Sequence, residues 1–312
     1  MTHFSFQEAS KRSLKFLFPF LLICIIHYTP YAQAYEDLKP LKGHQTQVYY
    51  SSGSEAKANR MAKQLDRVIN FYKENIHFTP SVTLLVLSPQ DWNNYAGSMV
   101  YGMPHYTNDK TLIVAAENND FWKSFIPPLD QMPKELAQVI TETYTDKTGN
   151  LTMEPFFDLL AIHELGHAYH IQDSLVMQRN WMGELFVNIF LHSYIAENEP
   201  DLLPALTVFP KMVVSSTDKS TLKYTTLSDL DMYYAEIAQK YPRNYGWYQC
   251  RWHKAAANIY DEGKLSAFKK LWLTLKTQET KLDDVSFAAL LAQQVHSSVA
   301  NVLLKWDDAD QQ

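Results

Sequence analysis

"AIHELGHAYH", residues 161–170, places three histidines and a glutamate within eight positions. The apolar run around it predicts a helix over residues 155–172, which puts His163 and His167 one turn apart on a shared face. Two parallel imidazoles can each reach a zinc ion at about 2.0–2.1 Å. Glu164 is rotated by roughly 100° around the same helix, where a general base acting on a zinc-bound water would stand. Residues 159–162 and 165–169 contain no Asp, Glu, Lys, Arg or Pro, so the helix can run unbroken and buried. Gly166 costs about 1 kcal/mol of helix propensity against alanine, which a helix packed closely on a neighbour tolerates. The competing reading is a turn of helix rich in histidine by chance, and a third ligand decides between the two.

Three positions compete for that role. His170 follows one turn after His167, but three ligands from one helix crowd a tetrahedral ion, so a contact behind the ligands or in the core suits it better. Asp173 falls where the pattern HExxHxxGxxH has its last ligand, yet that pattern needs glycine where this chain has His170. Glu184, in "NWMGELFVNIFLHSYIAE" (residues 180–197), lies on a segment with a broad apolar face. A second helix antiparallel to the first, after a loop near 174–180, would bring Glu184 over the two histidines. Zinc would supply the cation that a buried carboxylate needs. Glu184 is therefore the favoured third ligand. Asn188, one turn on, is placed to accept the remaining N–H of a ligand histidine.

Outward from this segment, the pattern divides the chain. "QVYYS" from residue 47, "SVTLLVLS" (81–88) and "KTLIVAA" (110–116) read as strands. Met61, Leu65, Val68, Ile69, Tyr72 and Ile76 form a helical stripe behind a candidate N-cap, Ser54. Residues 92–109 read as a loop. Beyond about residue 120 helical periodicity takes over: from Pro133 to Tyr144, then 155–172, 180–197, 227–241, 245–262, 264–276 and 285–305. The expected fold class is α+β, with a small mixed N-terminal sheet and one helix followed by a mostly helical half. The expected division is 35–155 for the mixed part and 156–312 for the helical part.

Residues 1–34 read as a secretory signal. Lys11, Arg12 and Lys15 precede the apolar run "FLFPFLLICII", and "AQA" ends at Ala34. That run is well short of the roughly 20 residues needed to span a bilayer, so an exported chain cleaved near Ala34, with no stable membrane span, is expected. Cys250 is then the only cysteine left and no intramolecular disulfide can form. The segment removes net positive charge from a chain whose formal charge is already −6. With no basic block, nucleic acid is a poor candidate partner.

His163-Glu164-x-x-His167 followed by Trp181-x-x-Glu184 resembles the gluzincin zinc metallopeptidases, more particularly the peptidase MA-like branch. The likeness spans roughly residues 47–306. A strand, loop, glycine, strand unit precedes the motif, with Gly102 before the second strand. "NYGWYQCRWHKAAANIYDEG" and "SFAALLAQQVHSSVANVLLKW" then follow in the order of the branch's later helices. The resemblance implies a zinc site in the cleft between sheet and helices, with one Zn2+ per chain held by His163, His167 and Glu184. It implies that "TLIVAA" is the edge strand along which a peptide or protein substrate lies, and that Tyr245 stabilises the oxyanion. Tyr248 and His253 are rivals of Tyr245 on nearby turns. "AAEN" (115–118) faintly resembles a segment with which some gluzincin aminopeptidases hold a substrate N-terminus, which would involve Glu117. Two departures stand out: Asn188 occupies a position where many gluzincins have aspartate, and the insertion at 117–155 is long. The expected activity is that of an exported zinc metallopeptidase with Glu164 as base. A non-catalytic exported binding module on the same zinc fold is the alternative, and a metal-free helical protein is a third.

Overall fold

A computed structural model gives the fold of residues 35–307; the expected signal segment, 1–34, lies outside these described residues. Strands β1 (Lys39–Leu41), β2 (Gln47–Tyr50), β3 (Thr83–Leu87), β4 (His105–Thr107) and β5 (Thr111–Ala115) form one sheet in the order β1-β2-β3-β5-β4. The β2, β3 and β5 strands are parallel, while β1 and β4 pair antiparallel at the two edges. Helix α1 (Glu55–Ile76) connects β2 to β3 and buries the predicted stripe from Met61 to Tyr72. Ser54 precedes it as expected, but its hydroxyl makes no capping bond.

After α2 (Pro89–Tyr95) and α3 (Asp120–Lys123) the described chain is helical: α4 (Lys134–Tyr144), α5 (Glu154–Gln172), α6 (Met182–Asn198), α7 (Leu203–Ser216), α8 (Leu227–Lys240), α9 (Pro242–Thr277), α10 (Asp284–Leu290) and α11 (Ser297–Leu304). The small mixed sheet followed by helices is the α+β class the pattern predicted. Sheet and helices share one hydrophobic core. No helix among the described residues is long and apolar enough to cross a membrane.

Several elements depart from the expectation. Residues 92–109 contain the end of α2 and the strand β4, and it is β4, not "TLIVAA", that forms the edge. The "TLIVAA" strand, β5, is buried along its length between β3 and β4. Helix α7, with Pro210 inside it, occupies a stretch to which the sequence reading assigns nothing. The two helices expected at 245–276 run as α9, interrupted at Lys264 (φ 51°, ψ −164°). The helix expected at 285–305 is split by a π-helical turn and by extended His296, whose ring accepts from Ser298 N.

The sheet side and the helical side are joined by a buried cation. Lys57 of α1 reaches Glu154 Oε1 at 2.7 Å and both oxygens of Asp158 at 2.5 and 2.6 Å, on the first turns of α5. Removing the cation strands Asp158 in a partly buried place and leaves Glu154 only Arg60, at 3.5 Å. Lys57→Met is therefore expected to lower stability by about 3 kcal/mol, the low end for a broken buried pair because the carboxylates keep some solvent. Urea unfolding reads this directly, and a loss under about 1 kcal/mol would show the contact to be an ordinary surface pair.

Candidate metal centre

Helix α5 is apolar on nearly every side and buries Phe156, Phe157, Leu159, Ala161, Ile162, Leu165, Ala168 and Tyr169. Such a helix belongs in a core, and α6 supplies one wall of it. The two run antiparallel: Gly166 meets Val187 and Phe190, while His170 meets Phe186 and Gly183. A Cβ added at Gly166 would sit 3.0 Å from both Cβ and Cγ1 of Val187. The glycine therefore sets the helix separation, which is the packing reason for its place in the motif.

At that separation the predicted residues come together. His163 Nε2 lies 3.4 Å from Glu184 Oε2, and His167 Nε2 lies 3.9 Å from Glu184 Oε1. Ligand atoms around a tetrahedral ion of this size are about 3.2–3.5 Å apart at ordinary bond lengths; the first distance falls in that range and the second, to the other carboxylate oxygen, exceeds it. Glu164 Oε1 is 4.0 Å from His163 Nε2. His163, Glu164 and His167 each offer one ligand atom within 4.8 Å of the others, a group that could hold a metal ion.

The remaining polar atoms also fit a cation. His167 Nδ1 pairs with His170 Nε2 at 3.0 Å, which leaves Nε2 of His167 free to face Glu184. His163 Nδ1 and Asn188 Oδ1 are both buried without a bond of good geometry. They are a donor and an acceptor, and Asn188 favours the protonated form of His163. The Asn188 amide nitrogen is already engaged with the Glu184 carbonyl at 2.9 Å. Asp173, the rival ligand, is turned away into a pair with Lys276 at 2.7 Å.

The electrostatics divide the two carboxylates. Burial pushes Glu164 up to about 7, against the opposing pull of His163 and the Tyr106 backbone. Burial acts on Glu184 too, but the His163 hydrogen bond, the electrostatic pull of the histidines and Tyr234 outweigh it and hold Glu184 well below the carboxylate range. His163 is the counterpart. Burial lowers it, yet Glu184 and Glu164 together raise it above its ordinary value. His167 and His170 are lowered by burial to about 3 and about 4 and stay neutral.

Two residues that the sequence did not single out complete the site. Tyr234 Oη donates to Glu184 Oε1 at 2.8 Å, and Gln249 Nε2 donates to Glu184 Oε2 at 3.0 Å. Tyr245 lies against Tyr234, hydroxyl to hydroxyl, at 3.3 Å. Of its rivals, Tyr248 donates to the Thr226 carbonyl at 2.8 Å and His253 is packed against Phe156. Glu117 is an exposed loop residue, and Gly102 is pressed against Asn119, the N-cap of α3. The insertion at 117–155 is tied to α7 through Tyr144, whose hydroxyl donates to the Ala205 carbonyl at 2.8 Å. Compared with protein-family models, with curated proteins and with solved structures, the chain matches none, so the reading of the centre rests on its own geometry.

Proposed function

We propose that the chain is an exported zinc metallopeptidase of gluzincin type, with His163, His167 and Glu184 as ligands. The observation that carries the reading is the convergence of two imidazole Nε2 atoms and the Glu184 carboxylate at metal-ligand spacing, with a second, differently tuned carboxylate beside them. A zinc ion held there would polarise a substrate carbonyl and acidify water.

The chain's own groups supply the rest. Glu164, raised by burial to about 7, takes a proton from the attacking water and passes it to the leaving amine nitrogen. Strand β4 is the sheet edge nearest Glu164, and one side of its main chain is left unpaired by the sheet. An extended peptide adds to such an edge through main-chain hydrogen bonds. Tyr245, protonated because burial raises it, would turn its hydroxyl from Tyr234 to the carbonyl oxygen as charge develops.

The first test is the zinc content of purified protein after exhaustive dialysis, followed by cleavage of a peptide library. About one zinc per chain with cleavage is expected. Zinc without cleavage of any peptide would favour the non-catalytic binding module. No zinc, in folded protein re-offered the metal, would end both readings. Zinc binding should also depend on pH. Glu184 and Glu164 hold the His163 proton to higher pH than in a free imidazole, and the metal must displace it. Affinity is expected to fall about tenfold per unit as pH drops below the His163 pKa, and to level off above it. Calorimetry in two buffers of different ionisation enthalpy would count the released proton, and a pH-independent affinity would contradict displacement of a proton from His163.

A further inference from the structure

Besides the histidines, Tyr234 and Gln249 hold the Glu184 carboxylate, and the helix that carries Tyr234 is fastened to the start of Glu184's own helix. Helix α8 opens with a capping box between Thr226 and Asp229. Two residues later Asp231 binds Asn180, its carboxylate accepting from Asn180 N at 2.6 Å and its carbonyl from Asn180 Nδ2 at 2.7 Å. Asn180 stands just before Trp181 and α6. The helix then departs from helical geometry at Tyr233 (φ −118°, ψ 22°), and the next residue is Tyr234. Gln249 comes from the first turns of α9, one turn after Tyr245. Two separate helices therefore converge on one side chain.

Proton counting gives each contact its direction. A phenol has a single proton, and the strongest acceptor within reach of Tyr234 is the Glu184 carboxylate, at 2.8 Å. At the 3.3 Å contact Tyr234 is then the acceptor and Tyr245 the donor. Gln249 has no choice of direction, because its amide nitrogen only donates. Each oxygen of Glu184 thus accepts one of these bonds and keeps lone-pair capacity for a further partner.

We propose that Tyr234 and Gln249 are positioning residues for the metal: each holds one oxygen of Glu184, and together they fix that carboxylate against His163 and His167 and set the affinity for zinc. The inference rests on the zinc reading above and assigns roles that reading does not require. Partners of this kind are worth about 10–100-fold in metal affinity elsewhere.

The test is zinc affinity by competition with a chromophoric chelator, on the full protein and on Tyr234→Phe and Gln249→Met. Tyr248→Phe serves as a control, because that phenol bonds the Thr226 carbonyl instead. Zinc Kd is expected to rise about 10–100-fold in each of the first two variants and to stay unchanged in the control. Thermal midpoints of the metal-free proteins should lie close together, which separates positioning from general destabilisation. Cobalt in place of zinc gives a second readout, since its visible absorption follows ligand geometry and should shift in Tyr234→Phe. Unchanged zinc affinity and cobalt spectrum in both variants would overturn the inference while leaving the centre intact. Failure of the parent protein to bind zinc would overturn the proposed function, and the positioning roles with it.

Discussion

Glu164→Gln is expected to reduce peptide hydrolysis by about 10²–10⁴-fold while zinc content stays at the parent level. The amide is nearly isosteric but cannot take up a proton near neutrality, so the metal site survives and the proton transfer does not. The position makes this a discriminating experiment, because Glu164 is also near enough to be considered a ligand. Its Oε1 is 4.0 Å from His163 Nε2, whereas Glu184 approaches to 3.4 Å. Loss of zinc in the variant would make Glu164 a ligand, and retained hydrolysis would remove it from the chemistry. Measurement of kcat separately from KM guards against a mere binding effect.

Glu184→Ala is expected to abolish stable zinc binding, a larger loss than the roughly 10–100-fold expected for either residue behind it. Two neutral imidazoles then remain, with no anionic ligand to balance a divalent ion. The fold should tolerate the change in the metal-free state. The deleted charge is itself buried, so its removal relieves a desolvation cost while Tyr234 and Gln249 lose an acceptor, at about 1–3 kcal/mol for each donor left dry. Elemental analysis beside circular dichroism reads both quantities. Zinc retained at about one per chain would move the third ligand elsewhere, with Glu164 and His170 nearest at hand.

What the sequence revealed of this centre follows the range of the forces involved. His163, Glu164 and His167 were legible because helical spacing alone relates them, with no need to know the fold. Glu184 was legible one step further out, since an apolar helix after a short loop can return only against α5. Tyr234 and Gln249 were not. Their places depend on the break at Tyr233 and on how α8 and α9 pack on α6, and nothing local distinguishes Tyr234 among 19 tyrosines. The edge strand β4 did leave a signal that went unused. Asn108 and Asp109, at φ 53° and 52°, turn the chain between Thr107 and Lys110 in a tight hairpin, and paired Asn/Asp residues are favoured where two positive φ angles are needed. Helix α7, with Pro210 inside it, was not assigned either; Leu206, Phe209 and Met212 are buried there by tertiary packing.

The contact at Gly166 has a consequence for measurement. Two of the proposed ligands ride on α5 and the third on α6, and their mutual distances depend on the packing of Val187 against Gly166. The centre would therefore act as a calliper across that helix pair. A shift of a few tenths of an ångström, too small to alter helix content, would register as a change in zinc affinity. Metal titration in mild denaturant would then sense the core loosening before circular dichroism records any loss of helix.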